Sequence, residues 1–221
     1  SLRPCHEHEG TESPVNALSV AVRLPDYWSA LLCGHTHITE QAPARWAAKE
    51  GAAGLRAGAF LADVEGFDPV FFRMSKAEAA GLDSHARLAL EVATEALVQV
   101  DKNTRASMGV FTAAIQHDFG IPMAACNLPR TLAKILELQA GPCFHHDVAC
   151  TSSHLALHQA KEAIQAGECN AALVVGTALL LQPLVSQELL KDGILSPSGV
   201  CRPLDQRADG LVRGEACAAV V

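Results

Sequence analysis

Residues 171–176 read AALVVG, an apolar run with no polar side chain to turn toward water. A run this short and unalternating suits a strand covered on both faces, and such a strand requires helices above and below its sheet. The stretch before it supplies one. Residues 152–166 read as a helix of about 22 Å at about 1.5 Å rise per residue. Ala156, Ala160, Ala163 and Ile164 fall on its inward side, and it stops at Gly167, the residue type that best accepts a left-handed C-terminal position.

The same alternation runs upstream. Ser75 with Glu78 three residues later has the spacing of a capping box, and Gly81 interrupts the helix it starts. Asp83 offers a second N-cap, after which Ala86, Leu90, Ala93, Leu97 and Val100 recur at steps of four and three on one stripe. MGVFTAA at 108–114 has strand character, and NLPRTLAKILELQ at 127–139 reads as a helix with Pro129 near its first turn. GPCFHHDVAC at 141–150 reads as a strand entered through a Gly141-Pro142 turn. The stretch 196–210 is turn-rich, and ACAAVV at 216–221 reads as a buried strand. Strands alternating with helices predict an α/β fold, a mixed sheet covered by helices. Residues 1–57 carry little pattern beyond short helical pieces at 28–32 and 45–51, so the organised part is expected to be 58–221.

Composition narrows the function classes. With 49% hydrophobic and 19% charged residues, disorder is excluded. A net charge of −7 without a Lys/Arg run argues against nucleic acid, whose binding needs clustered cations. No apolar stretch approaches the roughly 20 residues of a membrane span. No secretory signal or initiator Met is visible, and the chain reads as a cytoplasmic piece of something longer. The eight cysteines lack paired spacings and are expected to be reduced thiols. CHEH at 5–8 and CGHTH at 33–37 match no familiar zinc spacing, so no metal is expected.

One cysteine has a distinct setting. In HHDVACTSSHL at 145–155, Cys150 stands where an extended run gives way to a helix, followed by Thr151, Ser152 and Ser153, whose small polar side chains permit a sharp turn. Amides of a first helical turn lower a thiol's pKa, which would suit a nucleophile, whereas a space-filling role is equally open on placement alone. Cys126, Cys143, Cys169 and Cys217 lack that setting and are expected to be structural.

The stretch DVACTSSHLALHQAKEAIQAGECNAALVVG resembles the active-site segment of β-ketoacyl synthases, the condensing domains of modular polyketide synthases and multifunctional fatty acid synthases. DVEGFDPVFFRMSKAEAAGLDSHARLALEVATEAL and LSPSGVCRPLDQRADGLVRGEACAAVV resemble the family's earlier packing segment and its later loop and strand, in the same order. DYWSALLCGHTHITEQAPARW at 26–46 is a weaker echo.

The resemblance implies a thiolase-like layered fold, of which this chain holds the N-terminal half. It implies Cys150 as the nucleophile that accepts an acyl chain, with its own backbone N–H as one oxyanion-hole donor. No bound cofactor is implied, because acyl and malonyl-type substrates arrive as thioesters on the phosphopantetheine of an acyl carrier protein. A homodimer through 141–150 is implied as well. The family's two catalytic histidines lie in motifs resembling EAHGTGT and KSNIGH, which are absent here, so the chain alone is expected not to condense. His145, His146, His154 and His158 match no catalytic position, and Leu204 stands where relatives usually carry an aromatic residue. Two other readings stay open: a catalytically silent pairing or docking module, and a thiol hydrolase with a histidine base beside Cys150.

Overall fold

The computed structural model describes residues 20–22, 32–34, 36–40, 44–46, 57–114, 124–138 and 140–221. The CHEH motif and residues 28–31 lie outside them. Among the described residues, a five-stranded sheet runs in the order β1 (Val20–Val22), β7 (Ala216–Val220), β6 (Ala171–Ala178), β4 (Met108–Ala113), β5 (Ala140–His146). The three strands β6, β4 and β5 are parallel, β7 runs against β6, and β1 runs against β7. A separate two-stranded ribbon joins β2 (Ile38–Thr39) to β3 (Gly58–Ala59). No helix is long and apolar enough to cross a membrane among the described residues.

The helices follow from their caps and stripes. Helix α1 (Lys76–Ala80) starts in the expected capping box, with the Glu78 N–H on Ser75 Oγ at 3.2 Å and the Ser75 N–H on Glu78 Oε2 at 2.8 Å. Helix α2 (Ser84–Leu97) is capped by Asp83, which accepts the Ala86 N–H at 2.9 Å. The whole expected stripe is buried, and Leu88, Ala89 and Val92 are buried beside it. Each leucine or valine so covered contributes roughly 1.5–3 kcal/mol relative to exposure. A short helix α3 (Lys102–Arg105) leads into β4.

Helix α4 spans Ala124–Ile135, beginning three residues before the expected start. Pro129 therefore lies in its second turn, not its first. The missing N–H removes one intrahelical bond, while the flanking Leu128 and Leu132 are buried in the core against the sheet. Helix α5 (Ser152–Gln165) ends as expected, with Gly167 at φ +73°. Helix α6 (Pro183–Lys191) opens with Pro183, where a missing N–H costs nothing. Of the piece expected at 45–51, residues 45 and 46 lie in a 3-10 turn, Ala44–Trp46, and the rest lies outside the described residues.

Both faces of the sheet are covered, as the AALVVG run requires. Ala171, Leu173 and Val175 join Met108 and Val110 beneath α2 and α4, whereas Ala172 and Val174 join Phe111 and Ala113 beneath Ala156, Ala160 and Ala163 of α5. The chain leaves β4 through α4 to β5, then returns through α5 across β4 to β6. Reversing direction while keeping one crossover hand places α4 and α5 on opposite faces, and the carboxyl ends of β4, β5 and β6 border the start of α5.

Strand β5 departs from expectation at both ends. Gly141 and Pro142 are inside it, forming a bulge: Met108 pairs with Ala140 and Val110 with Cys143, so two β5 residues face Gly109. Proline is tolerated there because β5 is the last strand of the sheet. At the other end the strand stops at His146 rather than reaching Cys150.

Candidate active site

Past β5, Asp147 and Val148 carry the chain out of the sheet into a 3-10 turn, Ala149–Thr151, that leads directly into α5. Ala149 holds φ +52°, the left-handed region where a Cβ crowds the next carbonyl. Cys150 follows it as a free, exposed thiol at the helix entrance, as the sequence predicts.

Hydroxyls close the turn. Ser152 Oγ accepts the Val148 N–H at 2.9 Å and donates to the Ala149 carbonyl at 2.7 Å. Thr151 Oγ1 donates to the Val148 carbonyl at 2.9 Å, which also takes the Thr151 N–H at 3.4 Å. The Ser152 N–H is used on the Ala149 carbonyl. Among the described residues, no hydrogen bond engages the N–H of Cys150.

Gly176 of β6 faces the start of helix α5. A Cβ at Gly176 would lie 2.8 Å from Ser153 Oγ. The alanine face of the helix continues the close approach over β4 and β6.

The histidines are arranged for support. His145 Nδ1 lies 2.9 Å from Thr112 Oγ1 on the neighbouring strand, and His146 is buried. The Nε2 atoms of both are buried without a partner among the described residues. His154 and His158 are exposed on α5. None of these histidines is hydrogen-bonded to Cys150 among the described residues, so no thiol–imidazole pair underwrites the hydrolase reading.

Burial holds both His145 and His146 below the ordinary imidazole value of 6.5, with the Asp147 carboxylate partly opposing the shift at His145. The unfolded chain therefore binds protons first as pH falls. Stability is full above about pH 6.5 and is lost as pH drops through the lower folded-state values. The urea midpoint is expected to be lower at about pH 5.5 than at about pH 7.5, and the difference should shrink in a His145→Gln, His146→Gln chain. A midpoint that rises on acidification would contradict the burial.

Burial also raises the Cys143 and Cys169 thiols, consistent with structural roles. Cys217 is fully buried. The side chain of Cys126 lies outside the described residues. Leu204 stands fully exposed at φ +60° on the loop 196–210, which is tied by Ser196 Oγ donating to Asp209 Oδ1 at 2.6 Å.

No pattern in the sequence points to the backward bonds of Ser152, to the conformation of Ala149, or to Glu215. The Glu215 carboxylate is buried, accepts the N–H groups of Leu61 and Leu180 at 2.8 and 2.7 Å, and pairs with Arg45. For Ala149, the one signal present is a small residue directly before a cysteine at a strand–helix junction.

Comparison with known proteins identifies relatives of this chain. The family described as "Beta-ketoacyl synthase, N-terminal domain" matches residues 16–221. A phenolphthiocerol/phthiocerol polyketide synthase polypeptide of Mycobacterium tuberculosis is 34% identical, over 95% of this chain and 13% of its own length. The 6-methylsalicylic acid synthase of Aspergillus niger is 37% identical over 74% of this chain and 10% of its own. Among solved structures, the ketosynthase from module 6 of the bacillaene synthase of Bacillus subtilis 168 superposes with a TM-score of 0.83 at 26% identity, covering 92% of this chain and 39% of that one. The oxazolomycin ketosynthase domain of Streptomyces albus JA3453 gives 0.81 at 28% identity, covering 92% and 42%. The chain thus spans a small part of these polyketide synthases and less than half of each ketosynthase structure.

Proposed function

Because the chain belongs to the β-ketoacyl synthase family through its N-terminal domain, we propose that it supplies the acyl-accepting half of a decarboxylative condensation, with Cys150 as nucleophile. The exposed thiol of Cys150, held in a tight turn at the mouth of α5, carries this reading. The thiolate attacks the carbonyl carbon of an acyl thioester, and the carrier's phosphopantetheine thiolate leaves with the electron pair of the broken C–S bond. Cysteine suits this exchange because its thiolate is nucleophilic near neutral pH and the new thioester stays reactive. The Cys150 N–H supports the charge that develops on the carbonyl oxygen.

In the second half-reaction a malonyl-type thioester loses CO2. The resulting enolate attacks the acyl group, and the Cys150 thiolate is released. The histidines that assist this step in the family are not among the residues matched here. No resident cofactor takes part, and the partners are acyl carrier protein and its thioesters in the cytoplasm.

A homodimer through 141–150 belongs to the same proposal. Strand β5 ends the sheet, and Phe144 on it is half exposed. A second copy can extend the sheet there through one self-complementary edge.

The test is intact-mass analysis after incubation with an acyl-loaded carrier protein. One acyl group is expected on the wild-type chain and none on Cys150→Ala. Equal loading of both proteins would remove Cys150 from the reaction, and an unlabelled wild-type chain would favour the pairing module.

A further inference from the structure

Side chains, rather than backbone alone, close the turn that presents Cys150. Ser152 is 4% exposed, and its hydroxyl is committed in both directions, accepting from Val148 N–H and donating to the Ala149 carbonyl. Its one proton is used on that carbonyl, so it has none to relay. These bonds point backward along the chain. An ordinary N-cap hydroxyl accepts from amides two or three residues further on, so helix capping does not account for them.

What the two bonds bracket is Ala149 at φ +52°. A left-handed alanine relaxes to the right-handed or extended region unless its neighbours hold it. Relaxation there would swing Cys150 away from the helix entrance.

We infer that Ser152 is a positioning residue for Cys150: by gripping the Val148 amide and the Ala149 carbonyl, it keeps Ala149 left-handed and so aims the thiol and its N–H. The inference rests on the reading of Cys150 as the acyl acceptor. Ser152 makes and breaks no bond in the reaction. Thr151 has a lesser part, since its hydroxyl makes one bond, to the Val148 carbonyl, whereas that of Ser152 holds both the Val148 N–H and the Ala149 carbonyl.

The test follows alkylation of Cys150 by iodoacetamide, resolved by peptide mass in the full 221-residue chain, with thermal melting recorded alongside. Ser152→Ala is expected to slow alkylation by about tenfold, the scale of the left-handed penalty. Adding Ala149→Gly to that chain is expected to restore the rate to within about threefold, because glycine takes positive φ without that penalty. Simple loss of packing would not be repaired by removing a further methyl group. Alkylation of Ser152→Ala at the wild-type rate, or failure of Ala149→Gly to rescue it, overturns the inference.

If Ser152→Ala does not fold, the double variant decides: folded and reactive supports the inference, and unfolded overturns it. A wild-type Cys150 that reacts no faster than the exposed Cys33 and Cys201 removes the acyl-acceptor reading, and the inference falls with it. A fast wild-type Cys150 that is indifferent to Ser152 removes the inference alone.

Discussion

Replacing Glu215 with alanine is expected to lower the free energy of unfolding by about 3–5 kcal/mol, the scale for removing one partner of a buried ion pair. The Glu215 side chain has 0% exposure and its Arg45 partner 13%. One carboxylate serves three donors from distant segments: the guanidinium of Arg45 and the amides of Leu61 and Leu180. Without it, the buried amide of Leu180, the partly buried amide of Leu61 and the partly buried Arg45 cation lose their acceptor. Among the described residues, Arg45 Nε already lacks one, and the guanidinium otherwise lies over the Phe60 ring, 5.7 Å from its centre. Trp46 adds to the same clasp by donating Nε1–H to the Leu180 carbonyl at 2.8 Å, so loss at Glu215 should loosen the 44–46 turn as well. Urea titration would show the effect as a lower midpoint at unchanged slope. A loss below about 1 kcal/mol would place the pair with ordinary surface contacts.

Gly141→Ala is the second large effect expected, about 3 kcal/mol. A Cβ at this position would lie 2.2 Å from the Met108 carbonyl oxygen and 2.5 Å from the Gly109 nitrogen. Both are backbone atoms of the neighbouring strand, which no rotamer change can move aside. Strands β4 and β5 would have to separate at the bulge. Gly167→Ala provides the contrast. Its Cβ would meet nothing within 4 Å, and the cost there comes only from φ +73°, about 1–2 kcal/mol. Denaturation of the two variants side by side separates crowding from conformation, and equal losses would contradict the tight β4–β5 approach.

Local signals account for what is legible from residue order alone. Asp83 and its stripe specify α2, the alanines and Gly167 specify α5, and AALVVG specifies a strand with both faces covered, because each of these depends on neighbours within a turn or two. Strand order is a different matter. That Val20–Val22 pairs with Val220 through Ala218 depends on contacts nearly two hundred residues apart, and no local pattern encodes it. Strand β5 stops short of Cys150 even though HHDVAC continues to look extended. The chain bends there through the hydroxyl of Ser152, which reaches back from the next element. Helix α4 starts earlier than Pro129 suggests, because a proline in a second turn looks, residue by residue, like one in a first.

Cys150 is legible by its placement between two recognisable elements. Glu215 is not. A lone glutamate after Gly214 resembles a solvated loop residue until Arg45, Leu61 and Leu180 are brought around it. The support around Cys150 is hidden for the same reason: Gly176 has meaning only once Ser153 lies against it.

The bulge at Gly141–Pro142 also decides which way the rest of its strand looks. Three steps along β5, from Ala140 to Cys143, match two along β4, from Met108 to Val110. Side chains in a strand point up and down in turn, so one surplus residue inverts the parity of everything after it. That parity sets Phe144 beside the ring of Phe111 and His145 beside Thr112, and it fixes the orientation in which the chain enters the bend at Ala149. The bearing of the sulfur is therefore set partly by a count made eight residues upstream. An insertion or deletion at that spot would turn the segment over while leaving every residue around the thiol unchanged.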